Sequence, residues 1–408
     1  MKALIAGGGI GGLTTALALH RAGIEVEIFE RADAVRELGV GINMLPHAVA
    51  ELVGLGLQDE LDAHGIRTRE LIYANRLGQV VWRELRGTEA GHAFPQYSIH
   101  RGRLLGLIHA AVVARLGRDA LRTGRQVVGV EQDADGVSVA LAGRGGATSA
   151  RGDLLIGADG IHSRVRAHLY PDEGPPIWNG VMLWRGCTPW PTWLDGRTMA
   201  IAGGNFAKFV FYPIAAAADR PDMRLTNWAV MARTGERGAL PARPEDWSRP
   251  GVPAEVLPFV RDRFRLDYVD PAAIIAATGG FYEYPNCDRD PLPRWSHGRV
   301  TLLGDAAHPM YPVGSNGASQ AILDAASLAR HLARGGSVEA ALAAYDAERR
   351  LATAAVVLAN REGGPERVID LIEARAPEGF RDIEEVASHV ERQAVVRGYA
   401  GLAGFAWR

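Results

Sequence analysis

An α/β fold is predicted for this 408-residue chain on three observations: a glycine-rich strand-turn-helix at its start, a strand-like aromatic insert, and amphipathic helical stretches at its end. The first is "KALIAGGGIGGLTTALALHRAGIEVEIFERA", residues 2–32, where five of the six residues from Gly7 to Gly12 are glycine. The apolar run Ala3–Leu19 has about the length of a signal segment or short membrane span. So many glycines would leave a membrane helix little to pack, whereas a strand-to-helix crossing needs glycine at its turn. Ala3 to Ala6 read as a buried strand, and Gly7, Gly9 and Gly12 fit G-x-G-x-x-G. Leu13 to Ala22 read as a helix, and Val26 to Phe29 as a second strand ending at Glu30. Three glycines at this spacing arise by chance roughly 0.7 times in so glycine-rich a chain, so the flanking pattern carries the reading. Glu30 lies 18 residues past Gly12, where a carboxylate can accept hydrogen bonds from both ribose hydroxyls of an adenine nucleotide, with the helix N-terminus facing the pyrophosphate. The unit is read as a Rossmann-type nucleotide cradle.

Composition narrows the partners. With 47% hydrophobic and 23% charged residues the chain is ordinary for a soluble globular protein, long enough for two or three packed regions. A net charge of −2, a pI near 6.6 and no lysine or arginine run make nucleic acid and membrane surfaces unexpected partners. Cys187 and Cys287 are the only cysteines and form no C-x-x-C, which argues against a disulfide framework or zinc knuckle and fits a cytoplasmic location with no metal. Lys2 and Lys208 are the only lysines.

Along the chain, "SIHRGRLLGLIHAAVVARLG", residues 98–117, reads as a helix with Arg101 and Arg103 in its first turn. A basic first turn opposes the helix dipole, a cost that a nearby anion offsets; solvated surface arginines are the alternative. "QVVGVEQDADGVSVAL" reads as a hairpin around Asp135-Gly136. A buried strand, "DLLIGADG", then leads into "IHSRVRAHL". Residues 298–333 give a strand, Gly304-Asp305, a turn-rich loop and a long helix.

Three segments in order, the cradle with Glu30, "GADGIHSRVR" at 157–166 and "GDAAHPMYP" at 304–312, resemble the FAD-dependent class A aromatic hydroxylases, the family of salicylate and 4-hydroxybenzoate hydroxylases. "PQYSIHRG", "WRG", "DRDPLPRW" and "MYPVGSNGASQAILD" are most similar to its phenazine-carboxylate hydroxylases. The resemblance implies non-covalent FAD, held by Gly7, Gly9, Gly12, Glu30, Arg31, Arg101, Val127, Asp159, Asp305, Gly317 and Ala318. Within that set Glu30 takes the adenosine ribose, Asp305 the ribitol chain and Arg101 the flavin or pyrophosphate. Asp159 is associated with both pyrophosphate and nicotinamide. A loop carrying Pro312, Gly314, Asn316 and Gly317 would lie beside the isoalloxazine ring, with amides of the following helix, from Ser319, aimed at its pyrimidine end. Many members read P-x-x-A-Q-G-A-N and then E-D there. This chain has "PVGSNGAS" and then Leu323-Asp324, which leaves the flavin-side bonds of Asn316 and Ser319 open. His308 falls in what the family uses as a structural turn.

No second G-x-G-x-x-G occurs, so NADH or NADPH would bind transiently across the flavin face. The implied reaction takes oxygen to a flavin C4a-hydroperoxide and transfers one atom to a planar, electron-rich aromatic, with the protein orienting the ring and excluding water. Decarboxylative and simple ring hydroxylation both remain open, and a flavin-dependent reductase is the alternative activity; a halogenase lacks its W-x-W-x-I-P segment here. No catalytic residue is readable. The FAD-binding parts are expected at 1–73, 98–178 and 286–362, with 74–97 and 179–285 forming a β-sheet substrate domain and 363–408 a C-terminal helical tail. In the insert, alternation in "KFVFYPI" turns Phe209 and Phe211 to one face and Val210 and Tyr212 to the other. Trp184 and Tyr212 are expected to line an aromatic slot. The tail carries helical stretches at about 366–374 and 381–396. The assembly could be a homodimer.

Overall fold

The computed structural model describes residues 1–37, 39–217, 219–241 and 249–404; residues 218 and 242–248 of the predicted insert and 405–408 of the predicted tail lie outside the described residues. Five parallel strands form the first sheet, in the order Val300–Leu302, Leu154–Gly157, Lys2–Ala6, Glu25–Glu30, Leu121–Thr123. Leu4 and Ile5 pair with Leu155 and Ile156 and are fully buried, as a parallel sheet covered on both faces demands. The helix Ile10–Arg21 leaves the first strand three residues earlier than expected, because Gly9 in extended conformation is already its N-cap. It packs against the helices Arg101–Leu116 and Gly317–Ala333. The expected hairpin is present as Arg125–Gln132 against Val137–Gly143, with Thr148–Gly152 added beside it.

The second large sheet has seven strands, in the order Phe281–Asp288, Ile177–Pro191, Met223–Arg233, Ala207–Ala216, Thr198–Ala202, Glu70–Ala74, Val80–Leu85. One face packs Trp184, Phe209, Phe211, Trp228 and Val230 against the helices Pro253–Arg263 and Pro271–Ala276. The opposite face turns toward the nucleotide-binding half. A three-stranded sheet, Gly41–Met44, Gln96–His100 and Ile66–Thr68, bridges the two.

At the C-terminal end Arg367–Arg375 is one helix, but the second expected stretch is two: Ile383–Val386 and His389–Leu402. The break has a local cause. Ala387 is extended, and the Ser388 side chain accepts from Glu391 N to start a new helix. Val368, Ile369, Ile372 and Val396 bury the edge of the seven-stranded sheet against Leu71, Tyr73, Val81 and Trp82. Among the described residues no helix is long and apolar enough to cross a membrane, and no cluster of His, Cys, Asp and Glu could hold a metal.

Candidate active site

The carboxyl ends of the parallel strands open onto a cleft of about 550 Å³ that runs to the seven-stranded sheet. That falls within the roughly 300–1,000 Å³ typical of a ligand site. At its head Gly7 has φ +107°, and a Cβ there would stand 2.3 Å from the Ala158 carbonyl oxygen. A Cβ on Gly12 would fall 2.0 Å from Gly7 O, so this glycine sets how closely helix and strand approach. Nothing lies within 4 Å of where a Gly9 Cβ would be; its backbone is open to the cleft. The helix that follows has no side-chain cap, so its first N–H groups point at the cleft. Bare amides and open backbone fit a pyrophosphate.

Glu30 is fixed at the rim, its Oε2 accepting from Gly8 N and its Oε1 from Ala32 N, both at 2.8 Å. Arg31, Arg101 and Val127 line the same cleft, and Arg101 makes no ion pair among the described residues. Asp159 also lines it, yet its carboxylate serves its own loop. Ser163 Oγ donates to Oδ1, and Arg164 N donates to Oδ2 at 2.7 Å. Burial pushes this carboxyl up, and those hydrogen bonds oppose the shift. Arg166 of the second motif donates to the carbonyls of Ala306 and Ala307, at 3.1 and 2.9 Å, and so clamps the third.

Asp305 is open to the cleft floor but walled by protein, and this burial pushes its carboxyl up against the fields of His308 and Arg101. Its loop is tied down from behind: Asp324 is fully buried, accepting from Gly304 N at 3.1 Å, His308 Nε2 at 2.6 Å and Arg349 Nε at 2.8 Å. His308 is thereby a fastening of the turn and does not line the cleft. Replacing Asp305 by alanine is expected to weaken FAD binding by about 1.5–3 kcal/mol, the worth of a hydrogen bond to a charged group. Titration of the apoprotein with FAD checks this; an unchanged dissociation constant would remove Asp305 from the cofactor set.

Pro312, Asn316, Gly317 and Ala318 line the cleft, whereas Gly314 faces the opposite way, into a second cavity. The Asn316 side chain is likewise engaged behind the loop, donating to Gly314 O at 3.1 Å and to the Tyr399 hydroxyl at 2.8 Å. Ser319 Oγ accepts from Leu45 N at 3.2 Å. The helix therefore begins at Gly317 with no side-chain cap, and its amides are left for the cleft.

At the far end Tyr212 lines the cleft but Trp184 does not. Strand alternation puts neighbouring residues on opposite faces, and Arg185 faces the cleft, so Trp184 is buried on the helix-covered face with Nε1 donating to Glu283 Oε2 at 3.3 Å. Trp228, Phe209 and Phe211 go with it. The slot is instead walled by Tyr212, Tyr282, Tyr284, Met199, Ile201 and Met231.

Arg185 and Asn227, absent from the sequence expectations, stand at its centre. Arg185 donates to Gly41 O at 2.6 Å and Tyr284 Oη at 3.2 Å, and Asn227 Oδ1 accepts from Gly41 N at 2.8 Å. Both keep a buried nitrogen without a partner, Arg185 Nε and Asn227 Nδ2, and Arg185 has no carboxylate partner among the described residues. Burial works against the charge of Arg185, but the hydroxyls of Tyr284 and Tyr212 outweigh it and hold its pKa above the ordinary value. Burial pushes Tyr212 up to about 12, against the pull of Arg185. The slot thus offers a cation, an amide donor and a neutral phenol. The only signal in the sequence was the alternation in "WRG": a core Trp184 requires an outward Arg185.

A family model described as FAD binding domain matches residues 1–176 and 287–360. A phenazine 1,6-dicarboxylic acid hydroxylase, PhzS, of Lysobacter antibioticus is 46% identical over 364 residues, 88% of this chain and 89% of that protein. 3-Hydroxybenzoate 6-hydroxylase 1 of Aquipseudomonas alcaligenes is 32% identical over 362 residues, covering 86% of each. Among solved structures, Klebsiella pneumoniae HpxO complexed with FAD and uric acid superposes with a TM-score of 0.76 at 24% identity over 99% of this chain and 96% of that one. A salicylate hydroxylase substrate complex gives 0.72 at 24% identity over 99% and 98%. The uncapped cradle, the carboxylates around it and these likenesses agree: the chain belongs to the FAD binding domain family and is one of its flavoprotein aromatic hydroxylases.

Proposed function

We propose that this enzyme hydroxylates a planar aromatic carboxylate at the carboxyl-bearing carbon and releases carbon dioxide. One observation carries the reading: a half-buried guanidinium, Arg185, whose Nε is buried without a hydrogen-bond partner and which has no carboxylate partner among the described residues, set in an aromatic-walled slot. A charge that a bound ligand would cover needs a partner in that ligand, and a substrate carboxylate is the matching group. The name of the Lysobacter relative, a phenazine dicarboxylic acid hydroxylase, supports a planar acid. The aromatic carboxylate, oxygen, NAD(P)H and two protons give the hydroxylated aromatic, carbon dioxide, water and NAD(P)⁺. Loss of carbon dioxide restores aromaticity, so no base is needed to remove a ring proton. The slot agrees, since Tyr212 is held protonated and His308 is locked on Asp324.

Bound FAD would supply electron transfer from NAD(P)H and the activation of oxygen. Gly7, Gly9 and Gly12 would shape its pyrophosphate seat, Glu30 hold the ribose, Asp305 the ribitol chain, and the amides from Gly317 the pyrimidine end. Asp159 would act by shaping its loop. With one such cradle, the nicotinamide would enter the open cleft transiently. Arg185 and Asn227 would orient the carboxylate while the tyrosines and methionines exclude water. A cytoplasmic location and a homodimer are proposed with this reading.

Simple ring hydroxylation is the second reading, favoured by the 3-hydroxybenzoate 6-hydroxylase relative, and it would use the same carboxylate anchor. Incubation of ring-carboxylated aromatics with labelled oxygen and NADH or NADPH separates them. One labelled atom in a product lacking the carboxylate, with carbon dioxide evolved in equal amount, is expected. Retention of the carboxylate would establish the second reading, and reductant consumption with no labelled organic product would make the protein a reductase.

A further inference from the structure

The C-terminal helix His389–Leu402 reaches the back of the loop that lines the cleft. The tail is anchored first to the seven-stranded sheet: Lys208 pairs with Glu366 inside the protein, Asn205 N donates to Asp370 Oδ1 at 2.7 Å, and Arg392 donates to Val81 O at 2.9 Å. From this base Tyr399, buried, extends to the loop. Its hydroxyl donates to Asn360 Oδ1 at 2.6 Å and accepts from Asn316 Nδ2 at 2.8 Å. Its ring lies so close to Gly314 that a Cβ there would stand 2.5 Å from Tyr399 Cε1.

The loop needs such support. Gly314 has φ +62°, and Ser315, with φ +59°, is one of only two non-glycine residues in the left-handed region among the described residues. A left-handed non-glycine residue is strained and persists only where its surroundings over-determine it. These two residues turn the chain so that Gly314 faces the tail while Pro312, Asn316 and Gly317 face the cleft. Behind them is a small cavity of about 40 Å³, bounded by Leu45, Tyr73, Arg86, Gln96 and Tyr399. The turn is restrained by Tyr399 from behind, by Asn316 Nδ2 donating to Gly314 O at 3.1 Å, and by Asn43 Nδ2 donating to Ser315 Oγ at 3.2 Å from the side.

We propose that Tyr399 is a positioning residue: through Asn316 and Gly314 it fixes how the 312–318 loop meets the isoalloxazine ring. This rests on the reading that the ring lies on that loop. The tail then couples the substrate-facing sheet to the cofactor. Without the Tyr399 hydroxyl, Asn316 Nδ2 keeps only its bond to Gly314 O, and the turn at Gly314 and Ser315 is held less firmly. Oxygen chemistry then runs with water admitted, and reductant is diverted to hydrogen peroxide.

The test uses the full-length FAD-loaded protein and three variants. Tyr399→Phe keeps the ring and removes the hydroxyl, Asn360→Ser removes the hydroxyl's acceptor, and Ala318→Val alters the cleft side of the loop. The readouts are the visible circular dichroism of bound flavin and the fraction of NAD(P)H consumption that appears as peroxide. A changed flavin spectrum in all three, with peroxide rising several-fold in Tyr399→Phe while KM for the aromatic is unchanged, is expected. Should Ala318→Val shift the spectrum while Tyr399→Phe and Asn360→Ser leave spectrum and peroxide as in the parent, Tyr399 is only structural and the proposal fails, even if their urea midpoints fall. Should Ala318→Val leave the spectrum unmoved, the ring does not lie on this loop, and the proposal falls with that reading.

Discussion

Replacing Arg185 by methionine is expected to lower kcat/KM for aromatic carboxylates by roughly 150-fold, about 3 kcal/mol, the scale of losing one partner of a buried, hydrogen-bonded charge pair. Binding of the neutral, decarboxylated analogues should change little, because methionine keeps the apolar wall. The variant also removes a donor from Gly41 O, so a urea melt of the FAD-loaded protein accompanies the kinetics. A loss shared equally by acids and neutral analogues would place the effect in folding or in Gly41. The carboxylate assignment would then be wrong.

Asp324→Asn is expected to cost about 3 kcal/mol of stability at neutral pH, because it leaves the buried Arg349 without its counter-charge and removes the carboxylate that His308 Nε2 meets. The effect depends on pH with a definite sign. Burial pushes the Asp324 carboxyl up, but His308 and Arg349 outweigh it, and the folded value lies below the ordinary 3.8. A depressed carboxyl contributes stability that is fully present above its unfolded pKa and is lost as pH falls through the folded one. The gap between parent and variant in urea midpoint should therefore be widest near neutral pH and narrow below about pH 4. A gap that is constant from pH 7 to pH 3 would show that Asp324 stabilises by shape alone. Because Asp324 also holds Gly304 N, FAD affinity should fall with it through Asp305.

The cradle was legible because its constraints are local. Gly7 needs a left-handed φ, Gly12 needs to have no Cβ, and Glu30 needs to end the next strand; each is a property of a short stretch of backbone. The second and third motifs could be recognised, but not why they travel together. Arg166 reaching the carbonyls of Ala306 and Ala307 is a contact across 140 residues. The helix at Gly317 was placed two residues late because it is started by loop geometry and has no capping side chain.

The slot shows where local reasoning stops. Alternation correctly separated Phe209 and Phe211 from Val210 and Tyr212, since period two is built into the extended chain. It could not say which face is covered. That was decided by the helices Pro253–Arg263 and Pro271–Ala276, which settle on the Trp184 face and leave Arg185 to the cleft. The tail's amphipathic stretches were likewise visible, while their target was not: Tyr399 meets Asn316 across 83 residues. By itself, then, the sequence determined the nucleotide cradle, the family and the two-faced strands, because steric limits on φ, glycine spacing and strand period act within a few residues. Only the tertiary structure decided which side chains share the slot and what holds the loop. Placement of a charge such as Arg185 in the slot and restraint of a turn such as Gly314-Ser315 depend on which distant surfaces pack together.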